Sequence, residues 1–226
     1  MTKVFSTLGV KGVLDELLPR FQRAHTGALE LTWDPTVLML ARVKTGERAD
    51  LALLTSEGID ELIASGVLAR GSRVDLARSH IGIAVAAGAA KPDISSVDAV
   101  RRALLAARSI AYSKTGASGI FFAGLIARLG IADAVNAKAT ITAGGFTAEV
   151  VAAGKAELAV QQVSELMVVP GVDIVGPLPQ EIQENLMFSG GIFAGAADAA
   201  GASRLLAFLA RTELAEVYRA KGLLPV

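Results

Sequence analysis

Residues 109–128 read SIAYSKTGASGIFFAGLIAR, and this stretch decides the fold class. It opens with a short apolar run, Ser109 to Tyr112, that predicts a β-strand. The part after Gly119 has apolar side chains at helical spacing and predicts a helix that ends near Arg128. A strand, a small polar turn and a helix, in that order, form the repeating unit of proteins built on a parallel sheet. The stretch therefore predicts an α/β fold.

The same unit recurs along the rest of the chain. Short apolar or β-branched runs predict strands at residues 3–6, 28–32, 50–54, 109–112, 137–142 and 158–163. Longer periodic runs predict helices at residues 10–25, 97–107 and 146–153, and two more near the C-terminus. This alternation favours one α/β protein over separate all-α and all-β domains.

Two segments interrupt the pattern and predict a division into lobes. A continuous apolar strand at residues 79–89 is followed by Lys91-Pro92-Asp93, and we place a first crossing between lobes there. The proline-containing segment 174–185, before a predicted strand at 185–194, is the expected return crossing. The prediction is a discontinuous first lobe, residues 1–80 plus 184–226, and a second lobe, residues 81–183.

The composition excludes several classes of function. The 226 residues are 52% hydrophobic and carry 22 basic and 22 acidic side chains, so no net charge favours nucleic acid or an anionic membrane. Cysteine is absent and there are two histidines, so we expect no metal site and no cofactor. The apolar runs are shorter than the roughly 20 residues of a membrane-spanning helix, so no transmembrane segment is expected.

The N-terminus, MTKVFSTLGVKGVLDEL, lacks the uninterrupted apolar core of a secretory signal. The chain as given is therefore expected to be cytoplasmic. A periplasmic location is the alternative, if a native N-terminal segment has been removed.

Four strand-to-helix junctions carry hydroxyls or glycines that suit an anion. They lie at Ser6 to Gly9, at Asp34-Pro35-Thr36, in the loop Ser113 to Gly119, and at Gly144-Gly145. Free N–H groups at a helix N-terminus favour an oxyanion or a carboxylate, and such junctions converge at the carboxyl ends of parallel strands. The alternative is that each junction is only a helix cap or tight turn, with Ser118 as an N-cap.

Polar residues at two strand ends are further candidates. Gln161 and Gln162 close an apolar strand, where a buried carboxamide bonds either a ligand or a neighbouring loop. His80, beside Arg78, could recognise a carboxylate or move a proton, or it could be structural. No Gly-x-Ser-x-Gly motif is present, so hydrolase chemistry is poorly supported.

Several segments together resemble a known family. GVKGVLDELLPRFQRAHTG, GERADLALLT, SIAYSKTGASGIFFAGLIARLGI, GKAELAVQQVSEL and GVDIVGPLP are similar to the molybdate-binding-protein-like branch of the type 2 periplasmic solute-binding proteins. The resemblance implies a two-lobed fold with two hinge crossings, which closes on a small anion in an interlobe cleft. An ABC importer permease is an implied partner only if the protein is exported.

The resemblance also implies site residues. In the molybdate-binding relatives, hydroxyls and backbone amides hold the anion. Gln162 stands where those relatives usually have a tyrosine. The candidate ligand-binding residues are Ser6, Thr7, Gly9, Thr36, Thr55, Ser113, Thr115, Ala117, Ser118, Gly144, Gln161 and Gln162.

Two functions follow from the resemblance. The first is a binding module for an oxyanion, such as molybdate, or for an organic carboxylate. The alternative comes from the same branch, which includes proteins similar to aconitate isomerase: a cofactor-independent isomerase of a polycarboxylate. An isomerase needs a general base, and the candidates are His80 and Glu165.

Overall fold

The computed structural model describes residues 1–25 and 27–226, which form a mixed α/β protein. The strands are β1 Thr2–Ser6, β2 Leu29–Trp33, β3 Leu51–Thr55, β4 Val74–Ala86, β5 Ile110–Ser113, β6 Ala139–Thr142, β7 Leu158–Gln162, β8 Val172–Pro177, β9 Asn185–Ile192 and β10 Leu223–Pro225. The helices are α1 Lys11–Ala24, α2 Thr36–Lys44, α3 Ser56–Ala64, α4 Val97–Ala106, α5 Ala117–Arg128, α6 Ala132–Asn136, α7 Thr147–Ala152, α8 Val163–Leu166, α9 Ala199–Leu209 and α10 Ala215–Ala220.

The chain divides into two compact units. The first comprises Met1–Ser79 with Leu186–Val226, and the second comprises His80–Asn185. Within the described ranges, none of the helices has the length and apolarity needed to cross a bilayer.

The first unit contains three parallel strands, of which β3 is buried on both faces. β1 pairs in parallel with β2 and β3, and β3 pairs antiparallel with β9. Side chains of β3 alternate between two apolar clusters: Leu51 and Leu53 pack with α1 and α9, whereas Ala52 and Leu54 pack with α2 and α3. A strand covered on both faces reads as a continuous apolar run, which is why LALLT was recognisable in the sequence.

The second unit has its own parallel strands. β5 lies between β6 and β7 and is parallel to both, whereas β4 runs antiparallel to β7 and β8. Small side chains of β5 and β7, Ala111 and Ala159, pack with Ala148 and Val151 of α7. The carboxyl ends of β5, β6 and β7 therefore lie at one edge of the sheet.

Some predicted boundaries are wrong. The strand expected at residues 79–89 extends from Val74 to Ala86, and its earlier start is supported by antiparallel pairing of residues 77–79 with β10. Residues 172–177, partly assigned to the return crossing, form β8 instead, through backbone bonds to β4. Helix α3 and the short strand β10 were not predicted.

Candidate functional site

In the first unit, buried hydroxyls collect where the parallel strands β1 and β3 end. Ser6 is the last residue of β1, its hydroxyl donates to the Thr7 carbonyl at 3.2 Å, and both side chains are buried. The Thr7 N–H donates to the carbonyl of Leu53 at 2.9 Å, which fixes this turn against β3. Gly9 lies just beyond, in a short 3₁₀-helix spanning Leu8–Val10.

Thr36 and Thr55 are joined by a hydrogen bond. The Thr55 N–H donates to Thr36 Oγ1 at 3.2 Å, and both residues are buried. Because the Thr36 oxygen accepts this bond, its own O–H points elsewhere as a donor. A Cβ on Gly58 would lie 2.5 Å from Thr36 Cγ2, so glycine provides the space that Thr36 occupies. The first unit thus brings Ser6, Thr7, Thr36 and Thr55 to one strand edge.

In the second unit, the loop after β5 also places buried hydroxyl groups, those of Ser113 and Ser118, beside the start of a helix. The Gly116 N–H donates to Ser113 Oγ at 2.8 Å. Gly116, and not Ser118, is the N-cap of α5, so the alternative in which Ser118 is only the N-cap of this helix is wrong. Ser118 lies in the first turn and is 1% exposed, and Ala117 is the first helical residue. Thr115 donates to the Ala143 carbonyl at 2.5 Å, which ties this loop to the turn before Gly144.

Gln161 is the most heavily bonded of the predicted residues. Its Oε1 accepts the Thr147 N–H at 2.8 Å and the Thr147 hydroxyl at 3.0 Å, and its Nε2 donates to the Gly145 carbonyl at 3.0 Å. Its carboxamide therefore holds the glycine turn and the start of α7. Thr147, which is fully buried, was missed because the sequence gives it no partner.

Gln162 lies on the opposite face of β7 from Gln161 and differs from it in hydrogen bonding. The residue is 2% exposed, and its Oε1 accepts no hydrogen bond from residues 1–25 or 27–226. A buried acceptor without a partner is unfavourable by about 1–3 kcal/mol, so a water or ligand donor is expected there.

Glu165 is a buried carboxyl just past the end of β7. Burial raises its pKa from the ordinary 4.5 to about 8, although hydrogen bonds from the Gln161 side chain and the Gln162 backbone act in the opposite direction. The ionised form is disfavoured by desolvation, so Glu165 is largely protonated at neutral pH.

His80 also belongs to the second unit. It is half-buried in β4, and its neighbour Ile81 pairs with Gln162 across the strands. Within the described part of the chain, no group of three or more His, Asp or Glu side chains is arranged to hold a metal ion.

Comparison with known proteins identifies the family. The chain matches the family described as bacterial extracellular solute-binding protein over residues 2–224, and it belongs to that family. The predicted family resemblance and the α/β periplasmic-binding-protein fold are thereby confirmed.

One relative in sequence is named as an enzyme. An aconitate isomerase from a Pseudomonas species is 36% identical over 229 residues, which cover 99% of this chain and 87% of the relative.

Solved structures of anion-binding proteins share the fold. The periplasmic molybdate-binding protein of Azotobacter vinelandii superposes with a TM-score of 0.82 at 18% identity and covers 99% of both chains. The sulfate-binding protein of Mycobacterium tuberculosis gives a TM-score of 0.81 at 15% identity, covering 100% of this chain and 86% of that chain. At these identities the likeness concerns the fold and not the ligand.

Proposed function

We propose that this protein binds a small polycarboxylate and isomerises its carbon–carbon double bond, with Glu165 carrying the proton. The observation that carries the proposal is a buried carboxyl, Glu165, just past the end of β7, where Gln161 and Gln162 also lie. A protein that only binds an anion could use the protonated acid as a hydrogen-bond donor, but it does not need a group that titrates near neutral pH. A proton carrier, in contrast, needs one.

The raised pKa of about 8 suits this task. At neutral pH the protonated carboxyl does not repel an anionic substrate, and about one tenth of the molecules carry the ionised form that can accept a proton. A catalytic pKa near the operating pH gives general acid–base catalysis its best balance of protonation state and driving force.

The reaction conserves every atom. In an unsaturated tricarboxylate, the Glu165 carboxylate takes a proton from the methylene carbon, and the electron pair of that C–H bond delocalises over the allylic system. The resulting acid returns a proton to the other end of that system, so the double bond moves. Rotation about a bond that is single before the transfer decides whether the product is the cis or the trans isomer. No oxidant, reductant or cofactor is consumed.

The comparisons favour this function over oxyanion transport. The aconitate isomerase is twice as similar in sequence, at 36% identity, as the molybdate-binding protein, at 18%. Gln162 stands where molybdate-binding relatives usually have a tyrosine, and this difference also argues against molybdate as the ligand.

Binding without chemistry is the second candidate function. Family membership favours it, as do the buried hydroxyls and glycine amides, which suit an anion without an acidic group. The family description, extracellular, favours the periplasmic alternative for location, and only then would an importer permease be a partner.

The test is to incubate the protein with trans-aconitate in D₂O and follow the ligand by NMR. We expect conversion to the cis isomer with deuterium entering the allylic carbons. Glu165→Gln should abolish conversion and retain binding, whereas Glu149→Gln, at an exposed carboxyl on α7, should leave both unchanged. Tight binding of a polycarboxylate that stays unchanged in the native protein would overturn the isomerase and leave the binder.

A further inference from the structure

We infer that Gln162 selects a ligand that carries a hydrogen-bond donor: its side-chain oxygen accepts an O–H group of the ligand, from a hydroxyl or from a carboxyl that keeps its proton. The observation is the buried Oε1 of Gln162, which has no hydrogen-bond partner among residues 1–25 and 27–226. The inference rests on the proposed function only for the class of ligand, a small polycarboxylate. It adds which group on that ligand the protein recognises.

The strand pairing shows on which face of the sheet Gln162 lies. β5 and β7 pair in parallel with Ala111 opposite Ala159, and both alanines pack against α7. Successive side chains of a strand alternate between faces, so Gln162, three residues after Ala159, lies on the other face. Tyr112 also lies on that face, and its ring contacts the ring of Phe122 in α5 with the centroids 5.1 Å apart. Gln162 is therefore on the face that α5 covers.

The start of α5 supplies hydrogen-bond donors on the same face and at the same edge of the sheet. α5 begins soon after β5, whose carboxyl end lies beside that of its parallel neighbour β7. The Gly119 and Ile120 N–H groups both donate to the Gly116 carbonyl at 3.0 Å. The first-turn N–H groups of Ala117 and Ser118 precede them and have no carbonyl within the helix to bond. These two N–H groups suit the ionised oxygens of a carboxylate.

The Gln162 oxygen needs the opposite kind of partner. A carboxamide oxygen can only accept a hydrogen bond, and the oxygens of an ionised carboxylate can also only accept. A fully ionised ligand would therefore leave this buried oxygen unpaired, which disfavours binding, whereas an O–H group of the ligand would pair it. Donors for a charged group and an acceptor for a group with a proton occur together at this edge, which suits a hydroxy acid or a partly protonated polycarboxylate.

Titratable side chains on the neighbouring elements must be kept constant in any test at several pH values. They are Tyr112 and Lys114 at the end of β5, His80 on β4 and Glu165 on α8, whereas α5 has no acidic or basic residue before Arg128. All of them are retained when Gln162 alone is replaced. A ratio of affinities, between two ligands or between two proteins at one pH, therefore isolates the effect of Gln162.

The first experiment compares two ligands of equal charge by calorimetry. Citrate and tricarballylate differ by one hydroxyl, and at pH 8 their carboxyls are ionised. The native protein should bind citrate roughly tenfold more tightly. This ratio should fall to about one in Gln162→Leu and persist in Gln162→Glu, which keeps an acceptor. Gln180→Leu makes the same change at an exposed glutamine of the same unit and should keep the native ratio.

The second experiment tests a ligand carboxyl as the source of the O–H. Tricarballylate is titrated into the native protein and into Gln162→Leu at pH 5, where part of the ligand is protonated, and at pH 8. If a carboxyl supplies the proton, the native protein should bind roughly tenfold more tightly than Gln162→Leu at pH 5. That advantage should disappear at pH 8.

An advantage in either experiment supports the inference and identifies the source of the O–H. Ratios of about one in both, which the native protein alone shows for the first ligand pair, would overturn it and assign the Gln162 oxygen to a buried water. An equal loss of affinity in Gln162→Leu for both ligands and at both pH values would also overturn it, because the carboxamide would then present its N–H group.

These outcomes are separate from the fate of the proposed function. A preference that is lost in Gln162→Leu, in a protein that converts no aconitate, would support this inference and sink the isomerase. Conversion of aconitate without any preference for an O–H group would do the reverse.

Discussion

Replacing Glu165 by glutamine should change how the stability of the protein depends on pH. The folded state holds this carboxyl with a pKa of about 8, against 4.5 when unperturbed. Below pH 4.5 both folded and unfolded chains carry the proton. Between these values the unfolded chain releases it and the folded chain does not, so the free energy of unfolding falls as pH rises.

The magnitude follows from the pH interval. At about 1.4 kcal/mol for each pH unit, the native protein should lose roughly 3 kcal/mol from this group between pH 4.5 and pH 7. Glutamine has nearly the shape of the protonated acid and does not titrate. The Glu165→Gln variant should therefore resemble the native protein at pH 4.5 and become progressively more stable than it up to pH 8.

Urea denaturation at half-unit steps from pH 4.5 to 8.5, on native protein, Glu165→Gln and Glu149→Gln, measures the effect. Glu149→Gln should follow the native curve, since its side chain is exposed. Parallel curves for all three proteins would refute the reasoning. A native protein that gains stability over Glu165→Gln as pH rises would show that the carboxyl is held ionised, the reverse of what burial requires.

Four further outcomes are expected. Ser118→Ala should weaken ligand binding by about 1 to 3 kcal/mol in calorimetry, and an unchanged dissociation constant would make Ser118 only a packing residue of α5. His80→Gln should leave turnover intact if Glu165 is the base, whereas abolished turnover with retained binding would transfer the role to His80. Ligand affinity should vary only weakly between low and physiological salt, because the proposed groups are buried dipoles; a steep loss would indicate surface charge. Gly119→Ala should destabilise the protein by about 1 to 3 kcal/mol, since its Cβ would lie 1.8 Å from the Ser113 carbonyl, whereas Gly124→Ala in the same helix, with Arg128 Nη1 3.5 Å away, should be neutral or stabilising.

Strands that are determined by their own residues could be predicted from the sequence, whereas strands formed by pairing with distant residues could not. Strands such as β3 and β5 are buried on both faces, so their apolar runs are visible without knowing their neighbours. β10, in contrast, is a strand only because Leu223 and Leu224 pair with Ser79 and Arg78, a partner no local pattern reveals.

The same limit applies to the candidate site. Hydroxyl-bearing junctions were visible because strand, polar turn and helix follow one another along the chain. The partners of Gln161 were not visible, because Thr147 lies 14 residues away and is brought in only by the packing of α7 on β7. Gln161 and Gln162 are adjacent in sequence, yet the first has several hydrogen bonds and the second has an acceptor with no partner among the described residues. The reason is that neighbouring strand residues face opposite sides of a sheet.

The two units share a local arrangement in which a buried hydroxyl residue lies beside a helix glycine. In each, a buried hydroxyl accepts an N–H at the start of a helix: Thr36 from Thr55 before α3, and Ser113 from Gly116 before α5. In each, the third residue of that helix is a glycine, Gly58 or Gly119, whose missing side chain leaves room for the hydroxyl-bearing residue. Because the oxygen of each hydroxyl is occupied by a backbone donor, its proton must be directed to something else. Each unit therefore places a hydroxyl next to the N–H groups of a helix start, and such donors, which carry no counter-charge, suit an anion.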